Sequence, residues 1–225
     1  ISRLPKHLVK FKITNSRYHH RITCYPKKLK KLTIMSIMVL ENLPPTLEKL
    51  MTGCQDLTDL PKTLRKLVCY NGLDNGVDDL PSDLEYLVLE DDFDEPIDHL
   101  PRNLKKLYLD YDFDQPVDHL PPNLQKLALG DTFNQPVDYL PDTITKLTFM
   151  DMFDQPINHL PQNLTILYLG DRFNQSVYWL KRLQHLTQLT INGSRFNQPV
   201  DFLPASLEYL KLRHRFNQRV DHLPE

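Results

Sequence analysis

Apolar residues recur along this chain with a period of 20. Leucine returns at Leu60, Leu80, Leu100, Leu120, Leu140, Leu160 and Leu180, and all but the last precede proline. The text between them is clearest in LPPNLQKLALGDTFNQPVDYLP, from Leu120 to Pro141. Predicted strands open at Leu8, Leu29, Leu47, Leu64, Leu84, Leu104, Leu124, Ile144, Leu164, Leu186 and Leu207. Taking each opening residue as position one, the units read L-x-x-L-x-L. Alternation over the last four residues suits a short strand with one buried face. Position ten becomes phenylalanine in the later units (Phe93, Phe113, Phe133, Phe153, Phe173, Phe196, Phe216), position fourteen Val or Ile, and position seventeen Leu. One unit cannot bury six apolar side chains by itself, so the pattern predicts a solenoid of stacked units.

The other half of the unit is too broken for an α-helix. Prolines at positions thirteen and eighteen remove backbone donors and push the residues before them into extended conformations. Extended or single-turn segments are therefore expected there. A thin convex side of this kind predicts a gently curved or twisted stack, with about eleven parallel strands spanning about 50 Å. Position zero (Thr46, Thr63, Asp83, Asn103, Asn123, Thr143, Asn163, Ser206) is expected to cap turns by accepting a backbone hydrogen bond. Position eleven alternates between Asp and Asn, at Asp94, Asp114, Asn134, Asp154, Asn174, Asn197 and Asn217. Ionised Asp cannot donate, so both residue types must accept. Proline two residues on removes one partner, which leaves a later amide such as that of Val137, or the neighbouring repeat.

The array divides into divergent units over residues 1–79 and regular ones over 80–225, read together as a single solenoid. The spacing falls to 17 between Leu43 and Leu60 and rises to 23 between Leu180 and Leu203, with extra residues near Lys181–Gln184 and Ser194–Arg195. Such breaks map to loops or bends. Leu4-Pro5 already belongs to a unit, the start Ile1-Ser2-Arg3 carries no initiator Met, and the chain stops inside another unit at Leu223-Pro224-Glu225. A piece of a longer chain is expected.

Composition narrows the function. With 27 Lys plus Arg against 29 Asp plus Glu, the net charge of −2 gives no reason for wholesale phosphate binding. No apolar run reaches the length of a membrane span. The three cysteines (Cys24, Cys54, Cys69) have neither disulfide-framework nor ligand spacing, which fits a reduced, intracellular protein, and Cys69 occupies a leucine position. Only six glycines occur, none in a phosphate loop, and no catalytic motif stands out. Carboxylates and histidines recur with the period, whereas a catalytic group should appear once. No enzyme activity and no cofactor is expected.

The candidate surface is the concave sheet, with positions three, five and eight predicted to face outward. Position three is basic at Lys10, Lys31, Lys49, Lys66, Lys106, Lys126 and Lys146, then Ile166, Gln188 and Tyr209, with Tyr86 interrupting. Position eight is acidic at Asp91, Asp131, Asp151 and Asp171. The two rows could simply neutralise each other on a solvated face. A binding strip is favoured where aromatics interrupt them, because tyrosines make good anchors. The predicted strip is Tyr86, Lys106, Tyr108, Lys126, Asp131, Lys146, Asp151, Tyr168, Asp171 and Tyr209. The acidic row argues against nucleic acid as the partner. Position sixteen (His99, His119, Tyr139, His159, Trp179, Phe202, His222) is expected to stack its rings on the convex edge rather than bind metal. Stacked histidines would lower stability near pH 6.

The text Phe-Asn-Gln-Pro-Val or Phe-Asp-Gln-Pro-Ile at Phe113–Val117, Phe133–Val137, Phe153–Ile157 and Phe196–Val200 closely resembles the FNIP repeat family. Near matches occur at Phe93–Ile97, Phe173–Val177 and Phe216–Val220. The resemblance covers roughly Leu80–Pro224 and fades to bare L-x-x-L-x-L strands before Leu60. It implies an α/β solenoid, mostly β, coiled right-handed in the manner of leucine-rich repeats. It also implies a protein-interaction role. Family arrays often follow an F-box that docks a cullin-type ubiquitin ligase and leaves the repeats to select substrates, although nothing in Ile1–Leu60 looks like an F-box. The alternative is a structural, self-assembling component of a particle or matrix, made possible by open sheet edges at both ends.

Overall fold

The structure is a computed structural model that describes residues 4–37, 39–213, 215–221 and 223. Ile1–Arg3, His222, Pro224 and Glu225 lie outside the described residues. Eleven four-residue strands form one parallel sheet in sequence order. They are β1 (Lys10–Ile13), β2 (Lys31–Ile34), β3 (Lys49–Thr52), β4 (Lys66–Cys69), β5 (Tyr86–Leu89) and β6 (Lys106–Leu109), then β7 (Lys126–Leu129), β8 (Lys146–Phe149), β9 (Ile166–Leu169), β10 (Gln188–Ile191) and β11 (Tyr209–Leu212). Each strand occupies positions three to six of its unit. The register joins like positions, as in Leu107 beside Leu127 and Leu109 beside Leu129. The chain is therefore a β-solenoid of about ten turns. Among the described residues the one helical segment is a 3₁₀ turn at Tyr178–Arg182, inside the unit with expanded spacing.

All six predicted inward positions are buried in the central units; Leu104, Leu107 and Phe113 are fully so. They merge into one core that runs from Ile22 to Leu203. The position-ten phenylalanines form a continuous ladder. Phe93, Phe113 and Phe133 are nearly parallel with centroids 6.1 Å apart, and Phe153 and Phe173 are 6.2 Å apart. Adjacent strands lie only about 4.8 Å apart. The units fan outward from the sheet toward the rings, so the sheet forms the concave wall.

The position-eleven ladder runs between repeats. The backbone N–H of Asp154 donates to Asn134 Oδ1 at 2.9 Å, and that of Asn174 donates to Asp154 Oδ1 at 2.9 Å. Acceptor use was the correct inference, and the partner is the neighbouring repeat.

Two expectations are corrected. Position zero donates rather than accepts. Thr63 Oγ1 donates to the carbonyls of Pro45 and Leu47, both at 2.8 Å, and Thr143 Oγ1 does the same to Pro122 and Leu124. Asn103 and Asn163 donate through Nδ2 to the carbonyls of Ser82 and Asp142. The reason is that the L-P-x-x-L turn closes through its own backbone, with the Leu64 N–H bonded to the Pro61 carbonyl at 2.9 Å. What remains unpaired is the carbonyls of the previous repeat, which need donors. Asp83 has no donor to offer; Arg65 reaches its backbone carbonyl at 3.1 Å and its carboxylate at 3.2 Å.

Among the described residues the position-sixteen rings do not form the expected stack either. His119 and His159 are exposed, and each turns its Nδ1 to the aspartate before it in the neighbouring repeat, Asp98 at 3.0 Å and Asp138 at 3.1 Å. On an edge open to water a carboxylate partner outcompetes ring contact. The expected repulsion between stacked histidine cations has no structural basis at these two sites.

Candidate functional site

The parallel strands place positions three, five and seven on the open sheet face. A depression of about 360 Å³ crosses this face from β3 to β8. Its floor holds short side chains, Val68, Val88 and Ala128, because position five lacks bulk in these strands. Its walls are Tyr70, Tyr86 and Tyr108, and its rim carries Lys66, Glu90 and Asp110. Tyr86 and Tyr108 sit on adjacent strands with centroids 5.4 Å apart, tilted by 35°. The Lys66 ammonium lies 3.7 Å from the Tyr86 ring centroid and that of Lys106 lies 5.9 Å from it, a cation–π arrangement.

Partial burial shapes the chemistry of these groups. It raises the phenol pKa values of Tyr70, Tyr86 and Tyr108, so all three stay neutral hydrogen-bonding groups. The Glu90 carboxyl is held above its ordinary value, first by burial and then by Asp110 and Asp91. Asp131 is raised by burial and by Asp151 and Asp110. Lys66 is lowered by burial, then by Lys49 and Lys106. A partly dehydrated aromatic recess edged by mutually repelling carboxylates suits an aromatic or cationic side chain of a partner. No activated nucleophile belongs to it.

The predicted strip is brought together only in part. Tyr86, Lys106 and Tyr108 meet at the depression. Lys126 and Lys146 continue the position-three column in register, each partnered across the ladder. Tyr168 and Lys146 line a separate depression over β8 to β10, where Asn192 Nδ2 donates to the Tyr168 hydroxyl. Asp171 lies beyond it and accepts from Ser194 Oγ at 3.3 Å. Tyr209 stands exposed on the terminal strand β11.

Position eight does not share the sheet face as expected. Asn71, Asp91 and Tyr111 line a different depression together with position-nine residues. Asp91 and Tyr111 adopt positive φ, 52° and 43°. This left-handed turn follows β5 and β6 and swings Asp91 and Tyr111 off the alternation. Position seven takes its place on the face, which brings in Tyr70, Glu90, Asp110 and Met150. Carrying the strand alternation one step past L-x-x-L-x-L would have found them.

Cys54 and Cys69 are buried as apolar fillers, whereas Cys24 is exposed. Cys69 is fully buried with its thiol pushed up by burial, and Cys54 donates its thiol to the Asp56 carbonyl at 3.0 Å. Among the described residues no helix is long and apolar enough to cross a membrane.

A model of the FNIP Repeat family matches residues 116–152 and 153–178. Among solved structures the chain is similar to CroV588, a circular leucine-rich-repeat protein from a giant virus, at 28% identity with a TM-score of 0.78. The match covers 98% of this chain and 39% of that one. YopM from Yersinia enterocolitica WA-314 matches at 22% identity and a TM-score of 0.45, over 84% of this chain and 52% of that one. This chain thus spans less than two thirds of either protein. No curated protein sequence matches it.

Proposed function

We propose that this protein is a non-catalytic recognition scaffold that offers its concave sheet to a protein partner, with the Tyr86–Tyr108 depression as anchor. The leucine-rich-repeat-like fold supports the scaffold role. The observation that supports this anchor is the aromatic recess on the open sheet. The resemblance to FNIP arrays extends the proposal to substrate selection for an F-box/cullin ubiquitin ligase, docked through a module outside this sequence. The test is affinity capture of the full-length gene product from its native cell, comparing wild type with Tyr86→Ala/Tyr108→Ala. Recovery of cullin-ligase adaptors by both forms, with other proteins lost only from the variant, is expected. A variant that captures the same set as wild type overturns the assignment of this face.

The alternative reading is structural self-assembly of the array. Sizing over a range of concentrations separates the two readings: a receptor stays monomeric, whereas a building block grows with concentration.

A further inference from the structure

The sheet face is electrically divided. Over β1–β4 the ladder sets Lys10 beside Lys31, Lys31 beside Lys49, and Lys49 beside Lys66. Lys12 joins them at position five, and all five lysines line one depression of about 230 Å³. Like charges directly opposite across a ladder are unfavourable. Positions three, five, seven and eight of these four units contain no Asp or Glu. Lys10, Lys12, Lys31 and Lys49 form no ion pair among the described residues, and Lys66 faces the Tyr86 ring. The nearest carboxylate in sequence, Glu48 at position two, is bonded to Lys30 at 2.6 Å and also attracts Lys31 and Lys49, one acid set against the five lysines. The balance of basic and acidic rows therefore fails in this part of the array. From β5 onward carboxylates return to the face at Glu90 and Asp110 and to its edge at Asp131 and Asp151.

We propose that the β1–β4 face binds an extended acidic peptide segment of the partner, laid across the strands with its carboxylates on the lysine column. This rests on the scaffold reading above and names the chemistry of its partner. The distance from the Lys10 row to the Lys66 row is about 14 Å, three strand spacings, which about four extended residues cover. At β5 the lysine column is interrupted by Tyr86 and the recess, with Glu90 and Asp110 on its rim, before it resumes at Lys106. Those two groups reject a further acid and accept an uncharged or basic residue. The same interruption disfavours nucleic acid, whose phosphates continue at every step and would meet the carboxylates of β5–β8.

The experiment is fluorescence anisotropy with a labelled peptide of four glutamates followed by tyrosine and arginine, titrated with the protein at two salt concentrations. Binding should weaken as salt rises. Lys31→Glu/Lys49→Glu should weaken it by roughly tenfold or more, while Lys27→Glu/Lys28→Glu, the same exchange in an exposed turn outside the strands, should change it much less. Circular dichroism of both variants checks that the exchange leaves the sheet intact. No binding by wild type, equal loss from both variants, or tighter binding of a labelled oligonucleotide overturns the inference. Repeating the affinity capture with Lys31→Glu/Lys49→Glu separates the two levels. If the variant keeps every partner of wild type, the acidic-segment inference fails while the scaffold stands. If wild type itself captures no partner, the scaffold reading fails.

Discussion

The backbone N–H of Asn134 donates to Oδ1 of Asp114 at 2.8 Å, and the N–H of Asp114 donates in the same way to Asp94. Each side chain in this column caps the repeat that follows it. The neighbouring member Asn134 plays the same part with an amide oxygen, so the ladder needs an acceptor and not a charge. Asp114→Asn should stay within about 0.5 kcal/mol of wild type, whereas Asp114→Ala leaves an amide unpaired and should cost about 1–3 kcal/mol. Urea denaturation checks this. Equal losses from both substitutions would show that charge, not acceptor geometry, is what the column requires.

That ladder also marks what the sequence could convey. The acceptor role followed from side-chain chemistry alone, because an ionised Asp cannot donate. The six inward positions followed from periodicity, because a parallel stack buries the same positions in every unit. Position zero is ambiguous in sequence because Thr and Asn can both donate and accept, and the choice depends on which backbone groups the turn leaves unpaired. The left-handed conformation at Asp91 and Tyr111 carries no glycine to announce it, so the face was drawn through position eight rather than seven. The Tyr70–Tyr86–Tyr108 recess combines positions seven, three and five of three successive units, and only the strand register shows that they meet.

Phe133 stacks on Phe113 and Phe153, at 6.1 Å each, and on Phe149 at 6.3 Å. Phe133→Ala opens a cavity in the middle of the ladder and should cost about 3–5 kcal/mol. In a quasi-one-dimensional stack the damage should concentrate in the units that share the contact. Hydrogen exchange should rise most in β6, β7 and β8 and least in β2. Uniform loss of protection across all strands would show that the array behaves as one indivisible unit.

Gly170 and Gly130 occupy position seven where the preceding repeat's backbone crosses closely. A Cβ at Gly130 would lie 2.6 Å from the Asp110 carbonyl carbon, and one at Gly170 would collide with the Met150 carbonyl oxygen. Neither obstacle is a side chain that can rotate away. Gly170→Ala should therefore destabilise by about 1–3 kcal/mol, although alanine itself favours folding over glycine at unstrained sites. A melting temperature at or above that of wild type would show that the repeats can slide apart to admit a methyl group.

The carboxylates beside the tyrosine recess give stability a distinctive pH dependence. Glu90 and Asp131 have folded-state pKa values raised above their ordinary 4.5 and 3.8, by burial first and by neighbouring carboxylates second. A raised carboxylate pKa means that the folded state binds more protons than the unfolded state. The penalty is thus full above the folded pKa and disappears as pH falls through it to the ordinary value. Glu90→Gln and Asp131→Asn should raise the melting temperature at pH 7, and the gain should shrink by pH 4 and vanish only below about pH 3. Additive gains are expected only in part, because both groups interact with Asp110 and relief at one changes the field at the other. A basic partner residue seated in the recess should act in the same direction, so the stabilising effect of Glu90→Gln should be smaller in the complex than in the free protein. Thermal scans of wild type and both variants at pH 7 and pH 4 check the sign; a variant less stable at pH 7 would mean that these carboxylates already have a favourable partner on the free face.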